Sequence, residues 1–235
     1  MRVGCANAFC EDELHVLVEA DGAGSEAAIS EAFAKGGGKT EQELYLPFPQ
    51  VEFQPLLTQI AAAKPEIVYA FFAGGGAVKF VKDYAAAGLK ASIPLVGPGF
   101  LTDGTLEAQG DAAQGMETTL HYADGLDNPK DKEFRAAFKK ATGRDVDVYA
   151  VQGYDSGQLL LAGMAAVKGD TKARKELIAA MEKTEIDSPR GKFSLSKAHN
   201  PVQDFYLRRV QGLENRYVSV AVKALADPAT GCKLA

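Results

Sequence analysis

The sequence has little of what metal sites and disulfide frameworks require. Its 235 residues include three cysteines, three histidines and no tryptophan. Cys5, Cys10 and Cys232 match no spacing of zinc ligands, so we expect no metal site. Two interpretations of the cysteines stay open: free thiols, or a disulfide from Cys232 to Cys5 or Cys10, which would require an oxidising compartment.

An excess of basic residues and long apolar runs are also absent. The chain has 26 lysines and arginines against 31 aspartates and glutamates, a net charge of −5. This balance argues against nucleic acid or an anionic membrane as a partner. No apolar run approaches the ~20 residues that span a bilayer. The first twenty residues lack the pattern of a secretory signal, so we expect either a cytosolic chain or the mature or shortened form of an exported one.

Motifs of catalysis are missing as well. The sequence has no G-x-S-x-G elbow, no P-loop, no H-E-x-x-H helix and no G-x-G-x-x-G turn. The glycine-rich Gly74–Val78 lacks the Lys-Ser/Thr that follows a phosphate-binding loop. His15, His121 and His199 are isolated from one another in sequence. We therefore expect neither an enzyme nor a bound cofactor.

The first half of the chain alternates between apolar strands and amphipathic helices. The pattern predicts helices from about Ser25 to Gly36, over 53–64 and over 78–87, with a strand before and after each. Strands this apolar, separated by helices, are typical of a parallel sheet covered on both faces. Residues 14–123 are thus predicted to form one α/β lobe with strands in the stretches 14–20, 41–47, 65–76, 93–100 and 115–123.

The pattern changes after residue 125. Three helices follow one another, over 128–142, 149–169 and 171–185, with no strand between them to supply a sheet. The remaining stretches "GKFSLS", "DFYLRRV" and "YVSVAVKAL" alternate like strands of a hairpin or meander. We divide the chain accordingly into an α/β ligand-binding lobe (1–125), a helical crossover (126–190), and returning strands with a hinge (191–235).

The carboxyl ends of parallel strands are where open α/β sheets bind ligands. Four predicted loops follow those ends, at 21–24, 72–76, 97–100 and 121–124, and they combine bare glycine backbone with aromatic rings. This composition suits a small ligand with an apolar body and one polar end. An alternative is that Phe72 and Phe100 cap the core. The candidate ligand residues in these loops are Asp21, Phe72, Ala73, Gly74, Gly99, Phe100 and Tyr122.

Five segments in order resemble the type I periplasmic solute-binding proteins of ABC importers, in the leucine/isoleucine/valine-binding group. They are "AKPEIVYAFFAGGGAVKFVKDYAAAGLK", "IPLVGPGFL", "QGDAAQGMETTLHYA", "YAVQGYDSGQLLLAGM" and "SPRGKFSLSKAHNPVQDFYLRRV". They cover roughly residues 50 to 235, and the last is similar to the branch linked to aromatic acids. The resemblance implies an α/β fold with one near-complete parallel-sheet lobe and the helices of an incomplete second lobe.

The resemblance also implies a function. Such proteins capture a small organic acid or amino acid in a cleft between two lobes, joined by three crossovers, and deliver it to ABC permease subunits from the periplasm. The resemblance places the start of the predicted helix 149–169 at that cleft. We therefore expect its first polar residues to face the ligand or the hinge: Tyr149, Gln152, Tyr154 and Asp155. The alternative is that both tyrosines pack between helices with Asp155 hydrogen-bonded nearby. A cytosolic ligand-sensing or regulatory domain of the same fold is the other function to consider.

Three departures from the family pattern shape the expectations. Most of the first lobe is not represented, which would leave a helix face exposed and makes a dimer through that face a hypothesis. Asp21-Gly22 stands where the family carries an aromatic residue in its first loop. Gly99 stands where amino-acid binders carry a glutamate that pairs with the ligand ammonium. The ligand is therefore expected to be an aromatic or aliphatic carboxylate rather than an α-amino acid.

Overall fold

The computed structural model describes residues 16–19, 25–46 and 52–227 of the chain. The chain divides into two compact units, which we call unit 1 and unit 2. Unit 1 comprises Met1–Leu120 and Arg208–Arg216, and unit 2 comprises His121–Leu207 and Tyr217–Ala235. The chain therefore passes from one unit to the other three times along its length.

Unit 1 is built on a parallel sheet. Five strands lie in the order β2-β1-β3-β4-β5, and each neighbouring pair is parallel. The end of β7 continues the sheet beyond β5, where Val210 N donates to Met116 O over 2.9 Å. The strands are β1 Val16–Glu19, β2 Gln42–Tyr45, β3 Val68–Phe71, β4 Leu95–Pro98, β5 Glu117–Leu120 and β7 Pro201–Gln211.

Helices connect the parallel strands of unit 1, as crossovers between parallel strands require. They are α1 Ser25–Lys35, α2 Gln54–Ala63, α3 Gly74–Ala86 and the single turn α4 Leu106–Gln109. Proline at the first turn of α2 costs little because that turn has no intrahelical N–H bond to lose. The sequence placed the start of α3 at Val78, four residues too late. Gly74–Gly76 form its first turn, because the amide groups there need no helical partner and an extended Ala73 leads into the helix.

The core of unit 1 is rich in aromatic residues. The ring of Phe53 lies edge-on to Phe72 and Phe80, with centroids 5.0 and 5.2 Å apart. Phe72 and Phe80 are themselves 4.7 Å apart, and Tyr84 closes the group with its hydroxyl donating to Ile93 O. All four rings are at most 3% exposed. Burying these rings contributes strongly to the packing of α2 and α3 against the sheet.

Unit 2 contains three helices, α5 Pro129–Thr142, α6 Val148–Ala166 and α7 Arg174–Glu182. Asn128 caps α5 by accepting from Lys130 N, and Gly143 ends it with a φ of 74° that a glycine adopts without strain. Asp147 caps α6 by accepting from Ala150 N over 2.8 Å. These local signals confirm the helices that the sequence predicted over 128–142 and 149–169.

Unit 2 also contains strands, and two of its helices pack closely. The short strand β6, Ser194–Leu195, pairs antiparallel with the start of β7, and β8, Glu214–Leu225, pairs with β7. Helices α6 and α7 approach at Gly163, where an added Cβ would lie 2.8 Å from Met181 Cγ. The absence of a side chain at Gly163 therefore sets how closely the two helices pack.

Candidate functional site

The carboxyl-end loops after β3 and β4 carry four of the predicted ligand residues. Ala73, Gly74 and Phe100 are exposed there, and Gly99 is buried at the start of the one-turn helix Gly99–Leu101. The ring of Phe100 is 37% exposed and lies edge-on to the ring of Phe71, with centroids 6.3 Å apart. We call Phe71, Ala73, Gly74, Gly99 and Phe100 the rim of unit 1. It offers an aromatic pair beside exposed backbone.

One loop residue proposed from the sequence, Phe72, does not join this rim. Phe72 points into the aromatic core instead, because alternate residues of a strand face opposite sides of a sheet and Phe71 takes the outward position. The alternative interpretation, that Phe72 caps the core, matches this placement. Asp21 lies outside the described residues, as do the three cysteines.

Gly99 is held in a space that admits no side chain. A Cβ at this position would lie 2.6 Å from Arg208 Nη2, 2.7 Å from Asp103 Oδ2 and 2.7 Å from Leu120 Cδ2. All three neighbours are buried, so none can turn into solvent to make room. A glutamate, which the family resemblance places here in amino-acid binders, does not fit at this position without rearrangement.

The neighbours of Gly99 form a buried polar network in unit 1. Arg208 donates to both carboxylate oxygens of Asp103, over 2.7 and 3.2 Å, and to Thr118 Oγ1 over 2.9 Å. Asn215 donates to Asp103 and accepts from Thr102 Oγ1 over 2.8 Å. Because the Arg208 guanidinium donates to both carboxylate oxygens, its positive charge balances the negative charge of Asp103 within the buried network.

Tyr122, the aromatic residue predicted in the loop after β5, is buried in unit 2. Its hydroxyl donates to Asp131 Oδ1 over 2.9 Å and accepts from Arg135 Nη1 over the same distance. Arg135 also donates to Asp124 over 2.8 Å. Burial is the main cause that raises the pKa of Tyr122, so the hydroxyl stays neutral and acts as a fixed donor. Only 2% of the residue is exposed, so the ring is not presented to solvent.

The four candidates at the start of α6 separate into different environments. Tyr149 is 49% exposed. Tyr154 packs its ring against Phe134, with centroids 4.7 Å apart, and Lys130 lies 5.6 Å over the same ring. Tyr154 therefore follows the helix-packing alternative, and Tyr149 keeps the exposure that a ligand contact needs.

Gln152 and Asp155 both line a pocket of about 630 Å³ within unit 2. Gln152 Nε2 lies 3.1 Å from Nε2 of the buried His121, which sits just after β5. The apolar part of the wall comes from α6, α7 and the strand region. The remaining residues that line it are Ser156, Leu159, Ile178, Met181, Glu182, Ile186, Arg190, Phe193, Leu195, His199, Pro201 and Gln203.

Asp155 and Arg190 supply the charged wall of that pocket. Arg190 Nε donates to Asp155 Oδ2 over 2.8 Å, and the two side chains are 6% and 5% exposed. Arg190 also donates to Gln203, lies 4.2 Å over the ring of Phe193, and accepts at its carbonyl from Tyr206. Burial raises the pKa of Asp155 and lowers the pKa of Arg190, while their mutual attraction opposes both changes.

Several residues of these networks were not singled out from the sequence. Phe71 could have been found from the sequence. Side chains alternate along a strand, so Phe71 faces outward if Phe72 faces the core. Arg190 stood inside the quoted "SPRG" stretch, without a role. Arg208 and Asp103 are 105 residues apart, and no local pattern joins them. Long-range ion pairs of this kind are visible only in the folded chain.

The described residues show neither a metal cluster nor a membrane helix. No group of three or more histidine, cysteine or acidic residues is arranged to hold an ion in the described ranges. In the same part of the chain, every helix is too short or too polar to cross a bilayer.

Comparison with known proteins gives consistent matches. A sequence model of the family described as periplasmic binding protein matches residues 18–215. A Leu/Ile/Val-binding protein homolog of Brucella melitensis is 32% identical over 195 residues. That match covers 80% of this chain and 50% of the relative, so the chain spans about half the length of the curated protein.

Solved structures match over nearly the whole chain. The solute-binding protein of an ABC transporter from R. palustris, in complex with benzoate, is 50% identical with a TM-score of 0.88, covering 94% of this chain and 62% of that one. A counterpart from Rhodopseudomonas palustris BisB5, in complex with 3,4-dihydroxybenzoic acid, is 32% identical with a TM-score of 0.82, covering 94% and 63%. A leucine-binding protein from Thermotoga maritima is 18% identical with a TM-score of 0.76, covering 88% and 60%, and shows the fold alone.

Proposed function

The chain belongs to the periplasmic binding protein family, and from that premise we propose that it serves as the solute-binding component of an ABC importer for a small aromatic or branched aliphatic carboxylate. The family match confirms the resemblance read from the sequence. The parallel sheet and the structural matches confirm the type I periplasmic-binding-protein fold. Ligand, partners and location belong to the proposal, because the chain covers only part of each relative.

The observation that carries the proposal is the filled space at Gly99. A ligand ammonium taken out of water needs a carboxylate beside it, since an unpaired buried charge costs several kcal/mol. Position 99 cannot supply that carboxylate, and the acid next to it, Asp103, is already paired with Arg208. The rim offers the Phe71–Phe100 pair instead, which suits the face of an apolar or aromatic body.

The matched proteins support the same ligand class. The R. palustris protein that shares half of its aligned residues with this chain was solved with benzoate, and a further relative with 3,4-dihydroxybenzoic acid. The curated relatives carry the name of branched-chain amino acid binders. We place an aromatic carboxylate first and treat leucine as the competing ligand.

The family supports a proposal for role and location. A solute-binding component of an importer works outside the cytoplasm and hands its ligand to the permease subunits, so we propose those subunits as its partners. The protein in this role binds and releases its ligand unchanged. We propose no catalytic step.

Calorimetric titration tests the ligand assignment. Benzoate and L-leucine are titrated separately into the purified chain and into two variants, Phe100→Ala at the rim and Leu213→Ala in the exposed β7–β8 turn. We expect heat of binding for benzoate, a weaker signal in Phe100→Ala, and no change in Leu213→Ala. Saturable binding of leucine, with none for benzoate, would contradict the proposal.

A further inference from the structure

The Arg208–Asp103 ion pair is buried in unit 1 beside Gly99 of the rim. Arg208 is 1% exposed and is the largest of the fully buried side chains in the described residues. Replacing a buried ion pair with apolar side chains of similar volume is often neutral or stabilising. The pair is therefore weak as a source of stability, and its position beneath the rim suggests a positioning role.

The pair is connected directly to the turn that carries Phe100. The N–H groups of Thr102 and Asp103 both donate to the carbonyl of Gly99, over 2.9 and 2.8 Å. Asp103 thus fixes the backbone of Gly99–Leu101 from one side while its carboxylate is held by Arg208 from the other. Thr118 receives two donations from Arg208 and ties the guanidinium to β5.

We propose that Arg208 is a specificity-positioning residue: through Asp103 it sets the Gly99–Leu101 turn so that Phe100 is presented at the rim, and its guanidinium occupies the space that a side chain at position 99 would need. This inference rests on the proposed function, in which the rim receives the apolar body of a carboxylate ligand. Arg208 acts through its neighbours and makes no ligand contact itself.

The consequence is a rim that selects against a ligand ammonium in two ways. The guanidinium removes the room for an acidic side chain at Gly99, and it neutralises the acid at Asp103. Loss of Arg208 would end the neutralisation of Asp103 and would remove one of the three side chains that crowd position 99. Asp103 would be left with a buried charge, and the turn that holds Phe100 would lose its anchor.

The chain contains no tryptophan, so Phe100→Trp provides a unique fluorescent reporter on the turn. In that background we compare Arg208→Met, the double variant Asp103→Asn/Arg208→Met, and Arg208→Lys. Arg209→Met is the matched control. Arg209 is the next residue along the chain, and it pairs with Glu117 at the surface. The double variant removes the stranded carboxylate, and Arg208→Lys keeps the charge, so at least one variant is expected to fold.

We expect acrylamide quenching of the introduced tryptophan to rise by about twofold in folded Arg208 variants, because the turn opens locally, and to stay unchanged in Arg209→Met. Folding is checked by circular dichroism on the same samples. Unchanged quenching in a folded Arg208→Met or double variant would overturn the positioning role.

Benzoate affinity supplies the second measurement, in the background that keeps Phe100. We expect at least about a tenfold loss in the double variant and a change within twofold in Arg209→Met. A double variant that binds benzoate as tightly as the parent chain overturns the proposal, whatever the reporter shows. If the parent chain binds no benzoate, the proposed function fails, and the quenching of the tryptophan reporter alone decides whether Arg208 positions the turn.

Discussion

Arg190 and Asp155 form a buried ion pair in unit 2, with Nε and Oδ2 2.8 Å apart. Asp155 comes from α6 and Arg190 from the segment that precedes β6, so the pair joins two elements that share a pocket wall. Gln203 on β7 and the ring of Phe193 complete the surroundings of the guanidinium. The sequence predicted that Asp155 faces the ligand or the hinge, with a nearby hydrogen bond as the alternative, and the structure shows its ion pair with Arg190.

Removing one partner of this pair should strongly destabilise the fold. Arg190→Met leaves Asp155 buried without its partner, and we expect the free energy of unfolding to fall by about 3–5 kcal/mol. The control is Lys192→Met, two residues away, whose pair with Glu185 is exposed and screened by solvent, so this variant should unfold at nearly the same urea concentration as the parent. Urea denaturation of the three proteins measures both effects. Equal losses in the two variants would show that the buried pair has no special weight.

The buried carboxyl group of Asp131 should make stability depend on pH. Burial is the main cause that raises its pKa above the ordinary 3.8, so the folded chain holds the proton more tightly than the unfolded chain does. Its contribution is complete below pH 3.8 and is lost as the pH rises through the folded-state pKa. Asp131→Asn lacks this dependence and can still accept from Tyr122. The unfolding free energy of the parent minus that of the variant should therefore decline as pH rises.

The control for that series is Asp127→Asn. Asp127 is exposed, and its hydrogen bond to Lys132 lowers its pKa, so its contribution has the opposite sign and is lost as pH falls. Denaturation at a series of pH values from below 4 to 7 separates the two. A parent-minus-Asp131→Asn difference that grows with pH would be inconsistent with the burial of that carboxyl group.

Two phenylalanines of the loops after β3 and β4 should respond to mutation in opposite ways. Phe72→Ala removes a ring from the aromatic core of unit 1 and is expected to cost about 3–5 kcal/mol of stability. Phe100→Ala removes an exposed ring and should cost well under that, while it weakens benzoate binding. Thermal unfolding and calorimetry on the same preparations make the comparison. If Phe72→Ala weakened benzoate binding without lowering stability, Phe72 would be a ligand residue and not a core residue.

The sequence predicted the fold of unit 1 well, because its signals are local. Strongly apolar strands, the amphipathic helices between them and the helix that stops near Gly36 are each readable within a few residues. The start of α3 was missed since a triple glycine usually indicates a turn. Here Gly74–Gly76 form the first turn of a helix. The N–H groups of that turn have no helical partner whatever the residue type.

The candidate site was predictable only in part. Loop position at the carboxyl ends of strands made Gly99 and Phe100 candidates, and their contact with a ligand stays a prediction. It could not tell that Phe72 faces inward, that Tyr122 is bound to Asp131, or that Arg208 fills the space beside Gly99, since each depends on the fold rather than on neighbours in sequence. Closure of two lobes on a ligand, contact of Tyr149 and Gln152 with that ligand, and self-association stay predictions.

The central claim, that the rim of unit 1 receives an aromatic carboxylate, is tested most directly by fluorine NMR with 4-fluorobenzoate. We predict that the fluorine line broadens or shifts on addition of the chain, that unlabelled benzoate restores it, and that L-leucine leaves it unchanged. Phe100→Ala should reduce the effect, and Leu213→Ala should keep it. A line that does not respond to the chain, or one that leucine restores as well as benzoate does, would contradict the account.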